Sequence, residues 1–145
     1  AYGAKRPDGL TWREWALKEL SLDERRTHWL GALQEADYLK VLARSDVHLY
    51  LTVPFVLSWS LLEAMAAGCS IVASDTAPIQ EVLENESTAL LVDFFSPSLQ
   101  AEAIELLLND PSLSCRLGEA AKAHAQAYSH EIGIARWRSI IESYG

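Results

Sequence analysis

Ser58 and Glu63 are the residues of this sequence whose types and spacing carry the most chemistry. Ser58 stands directly before Trp59-Ser60-Leu61-Leu62-Glu63-Ala64-Met65-Ala66-Ala67, a helical run that stops at Gly68. A Ser in that place caps a helix, because its hydroxyl accepts one of the first unpaired backbone N–H groups. The other N–H groups near Leu57, Ser58 and Trp59, added to the helix dipole, can hold a phosphate. Glu63 lies about one and a half turns into the helix. Its neighbours Leu62 and Met65 place it in expectation near the apolar interface. A carboxylate there can accept two hydroxyl hydrogen bonds, which suits the 2′,3′-diol of a ribose. The same residues also read as an ordinary capped helix with a solvated Glu. Neither a Gly-rich dinucleotide signature nor a phosphate-binding P-loop is present to decide between the two readings.

A second candidate edge is Ser74-Asp75-Thr76-Ala77-Pro78-Ile79-Gln80-Glu81. Thr76 and Ala77 are placed to offer backbone groups to the same crevice. Asp75 reads equally as a turn-former and cap, and Glu81 as a first-turn carboxylate favoured by the helix dipole. His28 and His48 fall in predicted strands, where packing accounts for them. His124 and His130 lie six apart and share no helical face with a carboxylate in metal-ligand spacing. No Ser-His-Asp arrangement can be assembled, so no catalytic residue is assigned. Trp12 and Trp15, at i,i+3, read as core or as an exposed contact stripe rather than a cofactor stack.

These residues need a scaffold, and the pattern supplies one. Residues 11–20 predict a helix, with Thr11 and Glu14 spaced as a capping box. Thr27 to Leu33 predicts a short strand ending in a loop. Asp37 is the expected cap of a helix from Tyr38 to Ala43. Val47 to Val53 reads as a buried strand closed by Pro54. After the Ser58-capped helix come a strand Ser70 to Ser74, a short helix Ile79 to Leu83, a turn at Asn85-Glu86-Ser87 and a strand Ala89 to Val92. Ser96-Pro97 opens a helix that runs to about Asn109. Asp110-Pro111-Ser112 breaks it, and residues 112–128 and 131–143 are two further helical segments. Alternation of this kind predicts an α/β fold: a Rossmann-like parallel sheet with helices on both faces. A single domain over residues 1–145 is the simplest count.

Composition narrows the function. The chain has 145 residues, enough for a real core, and its formal net charge of −8 disfavours a nucleic-acid surface. No apolar run reaches the roughly 20 residues of a membrane-spanning helix. Cys69 and Cys115 form no C-x-x-C pair, so neither a redox motif nor a zinc ribbon is indicated. Cys69 reads as a small buried residue, and unpaired cysteines fit a cytoplasmic setting. The polar start at Ala1-Tyr2-Gly3, without Met, reads as the inside of a longer protein.

The series Leu57 to Gly68, Ile71-Val72-Ala73-Ser74-Asp75, Pro78-Ile79-Gln80-Glu81-Val82 and Ala89-Leu90-Leu91-Val92 closely resembles the group 1 retaining glycosyltransferases of the GT-B fold. The likeness covers about residues 27–128. It implies the C-terminal, donor-binding half of such an enzyme. The donor would be a nucleotide-diphospho-sugar such as a UDP- or GDP-sugar, with no required metal and no cofactor. The acceptor-binding N-terminal domain and the first strand of this domain would lie outside the chain. Alone, the fragment is expected to be inactive. The full-length parent would be cytoplasmic, at most peripheral to the inner face of the membrane.

Within that resemblance, Glu63 matches the second Glu of an E-x7-E signature, which holds the nucleotide ribose. Leu57, Ser58 and Trp59 match the loop whose amides meet the diphosphate. Ala32 and Leu33, after Gly31, match the wall around the base. The first Glu of the signature, which contacts the donor sugar, falls on Phe55. The family's basic residues for the diphosphate would precede Ala1, and Lys5 and Arg6 do not align with them. The last helix would cross to the absent lobe. Two alternatives remain at this stage: a flavodoxin-like module that binds another ligand or partner without sugar chemistry, and an interaction domain built on the C-terminal helices.

Overall fold

The computed structural model describes residues 6–23, 25–52 and 57–144. They belong to two compact units, Ala1–Asp37 and Tyr38–Gly145. In the smaller unit α1 spans Trp12–Glu19 and opens with the predicted capping box. The Thr11 hydroxyl accepts the Glu14 N–H, and the Glu14 carboxylate accepts the Thr11 N–H at 2.7 Å. The Arg6 guanidinium lies 4.6 Å from the ring centroids of both Trp12 and Trp15. The two tryptophans thus hold a protein cation. Residues 27–30, expected as a strand, are irregular. Gly31 then takes a left-handed φ of 71°, which turns the chain instead of extending it.

Helix α2 spans Glu35–Ala43. It begins ahead of the expected Asp37 cap because the Asp37 N–H already closes a turn onto the Gln34 carbonyl. Glu35 and Asp37 both lie in the first turn, where the helix dipole favours them.

The larger unit is built on three parallel strands, β1 (His48–Tyr50), β2 (Ile71–Ser74) and β3 (Leu90–Val92), in the order β1-β2-β3. The register sets His48 against Ile71, and Val72 against Leu90. Side chains alternate, so β2 feeds two cores. Ile71 and Ala73 pack with Leu61, Ala64 and Met65 of α3 (Trp59–Ala67) and with Leu42. Val72 packs on the other side with Ala103 and Leu107 of α5 (Pro97–Asn109) and with Leu117 of α6 (Pro111–Ala125). Each large apolar side chain buried this way contributes about 1.5–3 kcal/mol. The predicted sandwich of helices on both faces of a parallel sheet is therefore what forms.

Helix ends follow their caps where the cap is local. Gly68 ends α3 with φ 80°, its N–H meeting the Ala64 and Met65 carbonyls. Ser96 and Asp110 start α5 and α6. Helix α4 (Ala77–Gln80) starts two residues before the expected Ile79 because Pro78 occupies its first turn. Glu81 therefore sits at its C-terminal end and not in its first turn. A 3-10 turn, Gln126–Tyr128, leads to α7 (His130–Ser143), which buries no residue.

Strand β1 is shorter than the predicted Val47 to Val53, whose last residue lies outside the described residues. A side chain takes over from the ladder. The fully buried Ser74 donates its hydroxyl to the Thr52 carbonyl at 3.0 Å and accepts the Thr52 N–H at 3.1 Å. That pair of hydrogen bonds pins the chain just past β1 at the C-terminal edge of the sheet.

Candidate functional site

The C-terminal edge of the sheet meets the N-terminus of α3. Ser58 has extended backbone, and its Oγ accepts the Ser60 N–H at 3.3 Å. The cap predicted from sequence is in place. One feature was not legible there: the Ser58 N–H donates to the Tyr50 hydroxyl at 3.0 Å. Of the three amides expected to line a phosphate cradle, Ser58's is therefore already engaged. The Leu57 and Trp59 amides have no hydrogen-bond partner among the described residues. Tyr50, having accepted one bond, keeps its own O–H to donate. Trp59 itself is 78% exposed.

Glu63 departs from expectation. It is exposed, not at the apolar interface. Side chains one or two positions away on a helix point elsewhere, so Leu62 and Met65 do not report on it. Trp59 and Ala66, which share its face at i−4 and i+3, are exposed as well. The same face lines a recess of about 220 Å³ with Leu62, Gln126 and Tyr128.

The Glu63 carboxylate bears on one buried group. Tyr38, on α2, packs against the core that holds Leu42, Leu61 and Cys69, and its hydroxyl is buried without a partner at hydrogen-bond geometry. Burial, and then the neighbouring Glu63 carboxylate, push its pKa up to about 12. An unpaired buried hydroxyl costs about 1–3 kcal/mol, so its persistence beside a carboxylate is informative. Cys69 fixes α2 from below, its thiol donating to the Leu42 carbonyl at 3.2 Å. Burial raises the pKa of that thiol.

The second strand end contributes less than its sequence offers. The Asp75 carboxylate accepts the Gln80 side-chain amide at 2.6 Å, and the Thr76 carbonyl accepts the Ile79 and Gln80 N–H groups. These groups shape the turn. Asp75 and Gln80 also line a cavity of about 490 Å³ together with His124. Ala32 and Leu33 are exposed in the smaller unit, after the Gly31 turn. Phe55 lies outside the described residues.

A capped helix start with unpaired amides, an exposed carboxylate a turn further on and a parallel sheet behind them suit an anionic ligand carrying hydroxyls. Comparison with known proteins agrees. The family description "Glycosyl transferases group 1" matches residues 14–124. The chain belongs to the group 1 glycosyl transferases. That membership separates it from a flavodoxin-like module without sugar chemistry.

Among group 1 relatives, the D-inositol 3-phosphate glycosyltransferase of Corynebacterium glutamicum is 31% identical over 120 residues, 81% of this chain and 28% of that protein. The N,N'-diacetylbacillosaminyl-diphospho-undecaprenol alpha-1,3-N-acetylgalactosaminyltransferase of Campylobacter jejuni is 28% identical over 121 residues, 83% of this chain and 32% of that protein. The chain thus spans about a third or less of the length of these relatives. Among solved structures, Anabaena HepE in complex with UDP-glucose superposes with a TM-score of 0.78 at 20% identity, over 92% of this chain and 36% of that one. Sucrose-phosphate synthase from Thermosynechococcus elongatus gives 0.73 at 22% identity, over 99% of this chain and 38% of that one. These structural likenesses bear out the GT-B type of α/β fold. Among the described residues, no helix is long and apolar enough to cross a membrane.

Proposed function

We propose that this chain is the donor-binding half of a glycosyltransferase that takes a nucleotide-diphospho-sugar and transfers the sugar with retention. One juxtaposition carries the reading: the unpartnered Leu57 and Trp59 amides at the start of α3, with the exposed Glu63 carboxylate about 6 Å further along the helix axis. The amides and the helix dipole hold the diphosphate, and Glu63 accepts the ribose 2′- and 3′-hydroxyls. Ser58 holds the helix start through its cap. Phe55, in place of a carboxylate, leaves the donor sugar without that contact. UDP-glucose in the HepE complex supports a nucleotide-sugar of this kind.

The chain binds the donor without transferring sugar by itself. Transfer needs an acceptor and the exclusion of water by a second lobe. The exposed apolar side chains of α7, among them Trp137 at 67% and Ile141 at 66%, support an N-terminal lobe as partner. The reaction needs no metal in this reading, because the amides take the developing charge of the leaving diphosphate. The parent works in the cytoplasm.

Calorimetric titration with UDP and GDP tests the proposal. One of them binds, Glu63→Ala weakens it by about tenfold or more, and the fold is unchanged. Silence with both nucleotides, or full affinity in Glu63→Ala, refutes it. Turnover of a nucleotide-sugar by the isolated chain would refute the claim of inactivity.

A further inference from the structure

We propose that Tyr38 is a positioning residue for Glu63, donating its hydroxyl to one carboxylate oxygen so that the other is fixed for the ribose diol. The inference rests on the donor-binding reading of Glu63 and adds a residue that no motif points to. Its basis is a mismatch between two neighbouring groups. The Tyr38 hydroxyl is buried and has no partner at hydrogen-bond geometry, whereas the Glu63 carboxylate close enough to act on it belongs to an exposed side chain.

The two sides differ in rigidity. Tyr38 and Leu42 lie on one face of α2 at i,i+4, and Leu42 is 3% exposed. The Cys69 thiol ties the Leu42 carbonyl to the start of β2. The phenol ring packs on the core that includes Leu61 and Met65 of α3. Its hydroxyl is therefore presented from a fixed platform. Glu63 has no such support, since Trp59 and Ala66 beside it on the helix are exposed. A free Glu side chain loses rotamer freedom when it clamps a diol. A donor held ready in the protein lowers that cost, because it selects the rotamer in which the second oxygen faces the ligand. A neutral phenol is the right donor, and its raised pKa keeps it protonated at any physiological pH.

This assigns Tyr38 a role in telling ribose from deoxyribose. The test is a double-mutant cycle by calorimetry on the full chain, with UDP, GDP and their 2′-deoxy counterparts as probes. Tyr38→Phe removes only the hydroxyl and keeps the ring in the core. It lowers affinity for the bound ribonucleotide by about three- to tenfold and narrows its margin over the 2′-deoxy form. In a Glu63→Ala background the same change costs less than about twofold, because there is no carboxylate left to position. Equal losses in both backgrounds would mean that Tyr38 acts independently of Glu63 and would overturn the proposal. So would full affinity in Tyr38→Phe while Glu63→Ala is weak; the donor reading would then stand without it. If Glu63→Ala is itself silent, the donor reading fails and this proposal with it.

Discussion

The Tyr50 hydroxyl accepts the Ser58 N–H at 3.0 Å, joining the end of the edge strand β1 to the start of α3 across eight residues of sequence. This bond sets the Ser58 amide apart from those of Leu57 and Trp59, which have no partner among the described residues. Backbone amides in hydrogen bonds exchange their hydrogens only when the bond opens. The Ser58 amide is therefore expected to exchange more slowly than its two neighbours, and Tyr50→Phe to erase the difference. Site-resolved hydrogen exchange by NMR reads this directly. Equal rates at all three positions in the unmodified chain would show that the bond does not persist in solution.

Helices α3 and α6 meet at a glycine. A Cβ built on Gly118 would lie 2.5 Å from the Gly68 carbonyl oxygen, a backbone atom with no freedom to swing away. Gly118→Ala must push the two helices apart, and such overpacking costs typically about 1–3 kcal/mol. Gly68 has φ 80°, so an alanine there is strained by its backbone although the nearest atom to its Cβ, on Lys122, is 3.5 Å away. Urea unfolding of Gly118→Ala should show a lowered midpoint with an unchanged slope. An unchanged midpoint would mean that the close approach of the two helices is not maintained.

The two cysteines separate native from unfolded chain. Cys69 is buried, donates to the Leu42 carbonyl, and has its thiol pKa raised by that burial. The nucleophilic thiolate is correspondingly scarce there. Cys115 is exposed. A thiol reagent at neutral pH should label Cys115 alone in the folded chain, and Cys69 as well once denaturant is added. Mass spectrometry of the labelled peptides decides, and prompt labelling of Cys69 in the native state would contradict its burial.

What sequence made legible was whatever is decided within a turn or two of chain. Thr11, Ser58, Ser96 and Gly68 fix helix ends through bonds to residues at most four positions away, and those ends fall where the pattern put them. The alternation of β2 between two cores follows likewise from its apolar run. The strand expected over Thr27 to Leu33 did not form, because a strand exists only with a partner and no local rule names one. Glu63 was misjudged by reading its i−1 and i+2 neighbours, Leu62 and Met65, rather than the i−4 and i+3 residues that share its face. Tyr38 and Tyr50 carried no signal, because each acts on a group from a different element. Periodicity marks such a residue as half-buried and is silent about where its hydroxyl ends.

Tertiary burial also sets a pH dependence at His48. Desolvation lowers its pKa from the usual value of 6.5, so the folded chain holds the imidazole neutral. The unfolded chain takes up a proton near pH 6.5, whereas the folded one does so only at lower pH. In that window the unfolded state binds more protons, and stability falls as pH falls. The contribution is complete above about pH 6.5 and is lost on the way down to the folded pKa, at no more than about 1.4 kcal/mol per pH unit. His48→Gln removes the titration and should flatten this part of the profile. Urea midpoints at roughly pH 7.5 and pH 5.5 for both chains isolate the effect, since all other groups are common to them. If the variant loses as much stability on acidification as the parent, burial of His48 is not what the pH dependence reports.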